Sequence, residues 1–208
     1  MYTSIVAASE TLRDYLTSEL RSDANLRSFF DPASGGNMIV SLNTPAEMED
    51  IPQEGVSLWL YRVARDQDLM NAPPLRANRV QFHRTPLPVR LHYLVTPLVS
   101  RNSPTGSALE QTVLGKLLLL LHDHPQFSGP DLKGDLTGDR QVELSARFEP
   151  LTLDDITKIW TAIDRSYELS VSYEVTVVAV RSEILDDLPP VETAYMQTGV
   201  IVSSGEAV

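Results

Sequence analysis

The sequence contains no cysteine. Disulfides, thiolate metal sites and thiol nucleophiles are therefore excluded, and a reducing compartment would suit the chain. Basic residues are scarce: 17 Lys and Arg stand against 28 Asp and Glu, for a formal net charge of -11. That balance argues against nucleic-acid binding through the phosphate backbone. Long apolar runs are missing too. The most apolar stretch, Val113 to Leu121, is too short to cross a bilayer and contains Lys116, so no direct membrane insertion is expected. The N-terminus lacks the basic region, apolar run and small-residue cleavage site of a targeting segment. No glycine-rich loop leads from a strand into a helix, which removes the phosphate-loop and dinucleotide fingerprints. There is no G-x-S-x-G elbow, no solenoid repeat and no heptad run.

What is present fits a globular protein. The 208 residues are 42% hydrophobic and 22% charged, enough for one domain with its own core. The stretch Leu151 to Arg181 carries the strongest local signal. Thr152 and Asp155 form a shortened capping box, and Leu153, Ile156, Ile159, Trp160 and Ile163 recur at helical spacing. The period then falls to two: Leu169, Val171, Tyr173, Val175 and Val177 alternate with Ser170, Ser172, Glu174 and Thr176. A helix with one apolar stripe and a strand with one apolar face are expected to pack on each other and form the centre of the fold.

Earlier elements follow from the same patterns. A helix is expected from Ser4 to Arg21, capped by Thr3 or Ser4, with Ile5, Ala8, Leu12, Tyr15, Leu16 and Leu20 on one side. Asn37 to Leu42 reads as a short strand, and NTPAEMEDIPQEG (43–55) as loop. Val56 to Ala64 is a strand apolar on both faces, with Trp59, Tyr61 and Val63 on one of them. Val89 to Val99 is a second strong strand. Ser107 with Glu110 is expected to cap a leucine-rich helix that Pro125 stops, and Ser128 to Gly138 is turn-rich. Gln141 to Phe148 alternates as an edge strand, with Val142, Leu144, Ala146 and Phe148 inward. The order is α-β-β-β-α-β-α-β. It implies an α+β fold of mixed layers: a four- to five-stranded, mostly antiparallel or mixed sheet flanked by about three helices. Residues 1–185 are expected to form one domain and 186–208 an extended C-terminal arm.

Charge is uneven along the chain. From Arg62 to Arg90 there are six arginines against Asp66 and Asp68, a net +4, whereas residues 131–208 hold six basic and fifteen acidic residues, a net -9. Complementary regions of this kind suit head-to-tail self-association. Between them, Arg65 to Pro88 is an aperiodic, proline-rich connection in which Val80 to Phe82 forms at most a brief strand.

The one histidine cluster is His122-Asp123-His124, at the end of the leucine-rich helix. It resembles a metal pair, but the two histidines stand about 200° apart on an ideal helix and converge only if the helix has already ended. His92 and His83 have no serine or acid at motif spacing. A small metal-assisted hydrolase using His122, Asp123 and His124, or a cargo adaptor, is the alternative that the residues leave open.

Four blocks carry a resemblance. They are VSLWLYRVARDQDLMNAPP (56–74), PLPVRLHYLVTP (86–97), LEQTVLGKLLLLLHDHP (109–125) and LTLDDITKIWTAIDRSYELSVSYEVTVVAV (151–180). In this order and spacing the sequence resembles the tail-terminator, or tube-cap, family of extracellular contractile injection systems. These are phage-tail-like particles such as antifeeding prophages and virulence cassettes. The resemblance implies a structural protein rather than an enzyme, without cofactor or metal. It implies a homo-hexameric ring at the proximal end of the particle, seated on the last layer of inner-tube protein and touching the last ring of sheath protein. Cytoplasmic assembly would precede release or tethering of the particle. The arginine-rich connection is the expected contact with a neighbouring subunit or the tube, through Arg65, Arg76, Arg79, Phe82 and Arg84, because arginine and aromatic residues dominate interface hot spots.

Overall fold

A computed structural model of the protein describes residues 2–68, 81–83, 87–99, 105–137, 142–180 and 185–187. In chain order the elements are α1 (Ser4–Ser22), α2 (Arg27–Phe30), β1 (Ile39–Ser41), α3 (Pro45–Asp50), β2 (Gly55–Arg65), β3 (Gln81–His83), β4 (Leu87–Leu98), α4 (Gly106–Asp123), β5 (Gln126–Ser128), β6 (Glu143–Glu149), α5 (Leu153–Ile163), β7 (Val171–Val180) and β8 (Leu185–Asp187). Three single-turn 3-10 helices complete it, at Pro32–Ser34, Gly129–Asp131 and Gly134–Leu136. Six strands form one mixed sheet in the order β1-β2-β4-β7-β6-β5; only β1 and β2 run parallel. β3 and β8 make a separate two-stranded ribbon. The α+β architecture is the expected one, with one strand more in the main sheet.

Period-two alternation explains how the sheet is covered. Val56 and Leu58 of β2, Val89, Leu91, Tyr93 and Val95 of β4, Leu144 and Ala146 of β6, and Tyr173 and Val175 of β7 all enter one cluster. α1 and α4 lie over that face. α1 contributes Ala8, Leu12, Leu16 and Leu20; α4 contributes Val113, Leu117, Leu120 and Leu121. The two helices are tied side by side by Tyr15, whose hydroxyl donates to the Leu120 carbonyl at 3.2 Å, and by Lys116, 2.9 Å from Asp23. Each leucine fully buried here contributes about 1.5–3 kcal/mol. One polar contact is enclosed: the hydroxyls of Ser9 and Tyr93 meet at 2.8 Å, and burial raises the Tyr93 phenol to about 12.

The opposite face carries a smaller cluster. Ile156 and Trp160 of α5 pack on Leu94, with Trp59, Tyr61, Ile159 and Ile163 around them. The Trp160 indole N–H donates to Ser170 Oγ at 3.1 Å. This corrects the expectation that α5 and β7 pack on each other as the centre of the fold. The apolar side of β7 faces α1 and α4, while α5 sits across the sheet on β2 and β4. Leu153, placed in the apolar stripe by its spacing, is 74% exposed at the helix start.

Further differences have local causes. Residues 43–55, expected as loop, hold α3. Its start is a complete capping box: Thr44 Oγ1 accepts from the Glu47 N–H, the Glu47 carboxylate accepts from the Thr44 N–H, and Pro45 occupies the first turn. The box expected at Ser107 does not form, because α4 already begins at Gly106 and its N-cap Thr105 makes no side-chain cap hydrogen bond. β6 is not the edge strand: β5, Gln126–Ser128, pairs outside it. Among the described residues no strand pairs with β6 beyond the three residues of β5, and Phe148 is 56% exposed rather than inward. The crossover from β1 ends at Gly55, whose φ is +141° and where a Cβ would lie 1.9 Å from the Ile39 carbonyl oxygen. Only glycine fits that approach. β8 straddles the boundary expected between residues 185 and 186.

Candidate functional site

A register shift in β2 creates the most polar feature of the sheet. Between Leu60 and Arg62 the pairing with β4 slips by one residue, so Tyr61 is the extra residue of a bulge. Before it, Trp59 pairs with Leu94 and Leu60 with Tyr93; after it, Arg62 pairs with His92, Val63 with Leu91 and Ala64 with Arg90. The parity of the strand is reversed. Arg62 joins the α5 side of the sheet, and Val63 passes to the other side, where it is 48% exposed. A second register shift, between Val89 and Leu91 in the pairing of β4 with β7, lies close by.

α5 covers only part of its face, and the remainder is an open cleft of about 420 Å3 between the ends of β2, β4, β6 and β7. Two networks occupy it. In the first, Glu149 is the hub. His92 Nδ1 lies 3.0 Å from its Oε2, Ser172 Oγ donates to the same oxygen at 2.7 Å, and the Tyr61 hydroxyl donates at 3.2 Å while lying 3.0 Å from Ser172 Oγ. Burial pushes the Glu149 carboxyl upward, but the hydrogen bonds from His92, Ser172 and Tyr61 outweigh it and hold the group below the ordinary glutamate value. Burial also raises the Tyr61 phenol. In the second network Arg90 lies 3.0 Å from Asp66, 2.6 Å from Asp68 and 3.7 Å from Glu174. The Asp66 hydrogen bond, with the neighbouring carboxylates, holds Arg90 charged above even the usual arginine range.

His92, Glu149 and Glu174 are the one group among the described residues whose ligand atoms lie close enough, within 4.8 Å, to share a cation. The donor set is poorly suited to one. Glu149 Oε2 already takes three hydrogen bonds, and the Arg90 guanidinium stands at Glu174 where a cation would compete with it. Nucleophilic catalysis is equally disfavoured. A serine nucleophile needs its proton taken by a histidine, whereas Ser172 gives its hydrogen bond to Glu149. The cluster is an ionic stitch across four strands in which the carboxylates are well paired, while two buried nitrogens, Arg90 Nε and His92 Nε2, have no hydrogen-bond partner among the described residues.

The expected contact residues are distributed as follows. Arg65 ends β2, is exposed and lines the cleft together with Arg62. No hydrogen bond or ion pair joins the side chain of either arginine to another described residue. Phe82 lies in β3, with its backbone opposite Asp186 of β8, so the arginine-rich connection is tied to the acidic C-terminal stretch. Arg76, Arg79 and Arg84 lie outside the described residues. The histidine motif does not converge on an ion. His122 and Asp123 are exposed in the last turn of α4, and His124 packs against Tyr15 and Phe127, with ring centroids 5.0 and 4.9 Å away. The His92–Glu149 and Arg90–Asp66 pairs escape sequence reasoning. Their one signal is that Arg90, His92, Glu149, Ser172 and Glu174 each interrupt or oppose an apolar alternation, but only the register reveals that they meet.

The two outer strands of the sheet are both short. β1 pairs with Gly55, Val56 and Ser57 alone. Among the described residues, no strand lies beside Leu58 to Arg65 on the side away from β4. That part of β2 carries Arg62 and Arg65. At the far end, Glu143 of β6 pairs with Ser128 of β5, and Arg147 of β6 is exposed four residues further on.

The model of the family described as the Pvc16 N-terminal domain matches residues 7–193. No curated protein matches the sequence. Among solved structures, the fold is similar to the sheath/tube terminator of PVC, an extracellular contractile injection system, in its extended state. The TM-score is 0.61 at 18% identity, over 97% of this chain and 65% of that one. It is similar also to the tube-terminating cap of the anti-feeding prophage, with a TM-score of 0.57 at 19% identity, over 95% of this chain and 61% of that one. The chain thus spans less than two-thirds of the length of those structures, and at these identities the likeness is one of fold. A family match running from within α1 to beyond β8 is independent of that likeness and agrees with it: the chain belongs to the Pvc16 N-terminal domain family.

Proposed function

We propose that the protein is a structural cap, or tail terminator, of a contractile injection system, and not an enzyme. Copies of the chain form a hexameric ring at the proximal end of the particle. The ring ends the inner tube and touches the last sheath ring. The observation that carries this reading is the family match over residues 7–193. Likeness of fold to a sheath/tube terminator and to a tube-terminating cap supports it. The polar cleft is compatible with it, since Glu149 already accepts from His92, Ser172 and Tyr61, and Ser172 gives its hydrogen bond to that carboxylate and not to a histidine. Arg65, Arg76, Arg79, Phe82 and Arg84 contact the neighbouring subunit or the tube layer. Assembly takes place in the cytoplasm before the particle is released or tethered.

The test is the mass and shape of the purified protein, by light scattering and negative-stain microscopy, with and without inner-tube protein. Six-fold rings, or caps at tube ends, are the expected result. A chain that stays monomeric and leaves tube length unchanged refutes the reading.

A further inference from the structure

We propose that the cleft between the ends of β2, β4, β6 and β7 is a receptor for a carboxylate group, which sits between the Arg62 guanidinium and Nε2 of His92 and brings a proton onto that ring. The proposal goes beyond the cap reading and depends on neither ring formation nor tube contact.

Three observations carry it. First, the groups left without a partner at the cleft are nitrogens. Its carboxylates are engaged: Glu149 accepts from His92, Ser172 and Tyr61, while Asp66, Asp68 and Glu174 surround Arg90. Arg62 has no side-chain partner among the described residues, and Arg90 Nε and His92 Nε2 are buried without one. Buried polar atoms are rarely left so, and a ligand is one way to satisfy them. Second, the register sets His92 beside Arg62. They pair directly across β4 and β2, share the α5 side of the sheet, and both line the cleft. His92 is 4% exposed and its Nδ1 is spent on Glu149, so Nε2 is the nitrogen it has left to offer. An arginine fork beside an imidazolium N–H suits a carboxylate, whose two oxygens take a bond from each. Third, the charge account calls for a proton. Arg62, Arg90 and Arg147 on this face, and Arg65 at the strand end on the other, stand against Asp66, Asp68, Glu149 and Glu174. The four arginines balance the four carboxylates, yet only arginines are unpaired: Arg62, Arg65 and Arg147. In the neutral imidazole Nδ1 carries the proton toward Glu149 and Nε2 is an acceptor. An incoming carboxylate needs a donor there, and the proton that makes Nε2 one also offsets the added negative charge.

A free small acid and an aspartate or glutamate side chain of a partner protein both present this group, and the test separates them. Histidine-ring NMR on the full chain reads binding. The chain has four histidines. The His92 signal is the one missing from His92→Gln; if that variant does not fold, through-space contacts to the Tyr61 ring, 6.1 Å away between centroids, assign it. Acetate, N-acetylglutamate methylamide and its glutamine analogue are titrated to about 50 mM at constant ionic strength. Both carboxylates should shift the His92 ring saturably, with dissociation constants on the order of 1–10 mM, and the glutamine analogue should not. Tighter binding of the glutamate probe points to a protein side chain; equal or tighter binding of acetate points to a free acid. Arg62→Gln, at an exposed and unpaired position, should keep the fold and weaken carboxylate binding at least about tenfold, the worth of one charge-assisted hydrogen bond. Lys133→Gln removes the same charge at an exposed site beside α1 and should change binding less than about twofold. Affinity should rise as the pH falls from about 8 to about 6, because the ring gains a proton on binding. Four results each overturn the proposal: no saturable shift, equal binding of the glutamine analogue, affinity independent of pH, or equal effects of Arg62→Gln and Lys133→Gln.

Discussion

Removing the Glu149 carboxylate should loosen the end of the sheet where β2, β4, β6 and β7 meet at the cleft. The magnitude follows from what the change leaves behind. In Glu149→Ala, Ser172 and Tyr61 keep each other, 3.0 Å apart. His92, only 4% exposed, loses the acceptor for Nδ1. A charge-assisted bond is worth about 1.5–3 kcal/mol, and a buried donor without a partner adds its own penalty, so the loss should be about 3 kcal/mol. For a chain of this length that is a fall in Tm of roughly 6–12 °C. Glu149→Gln keeps one acceptor oxygen and should lose about half as much. Urea unfolding followed by far-UV circular dichroism reads the change as a lower midpoint at constant slope. The pH dependence supplies an independent check. The Glu149 carboxyl is held below its ordinary value near 4.5 in the fold. Its contribution is therefore fully present above that value and disappears as the pH falls through the lower, folded value. The gap between wild type and Glu149→Gln should be constant above about pH 5 and close only below the ordinary carboxyl range. A Glu149→Ala protein within about 0.5 kcal/mol of wild type would refute the hub assignment, since changes of that size are typical of unconnected surface sites.

Three further outcomes are expected. Leu16→Ala, in the fully buried stripe of α1, should lower stability by about 2–5 kcal/mol through the cavity it opens, and a urea midpoint unchanged within error would contradict the α1–sheet packing. Gly55→Ala should cost more than about 2 kcal/mol, because its Cβ meets the Ile39 carbonyl and its φ is positive; native-state hydrogen exchange should show β1 lost from the sheet first, and full protection of Ile39 to Ser41 would count against it. Arg76→Glu with Arg79→Glu should impair ring formation and give particles of irregular length by electron microscopy, and unchanged rings and lengths would remove these residues from the contact.

The two main strands and long helices were legible because each obeys one period for ten residues or more. Leu12, Leu16 and Leu20 mark α1, and Val89 to Val95 mark β4, without any tertiary information. α3 was missed: residues 43–55 read as loop because its six residues are too few to show a period among polar neighbours, although the T-P-A-E start carries the spacing of a capping box. Partnership was not legible. The apolar stripe of α5 and the apolar face of β7 adjoin in sequence and are both incomplete alone, yet they serve opposite sides of the sheet. Nothing local distinguishes packing against a neighbour from packing across a layer. The candidate site failed to appear for a related reason: Arg90, His92, Glu149 and Glu174 come from three strands, and their meeting is a matter of register.

One inserted residue decides most of what is distinctive about this sheet. Strict alternation in β2 would keep Val63 beside Trp59 and Tyr61 under α5, and would turn Arg62 away from His92. The bulge at Tyr61 reverses both placements. It leaves Tyr61 to reach Ser172 and Glu149, brings Arg62 to the rim of the cleft, and exposes Val63 on the other face. A bulge normally weakens the pairing around it. Here the strand is held on both sides of the defect, by Tyr61 to β6 and β7, and by Arg90 gripping Asp66 just past the end of β2. Buried ionic groups rarely add net stability over apolar packing, and their better-attested role is to specify one arrangement. In this chain the arrangement they specify is the bulged register of β2 against β4, with Arg62 at the rim of the cleft and Asp66 locked to Arg90.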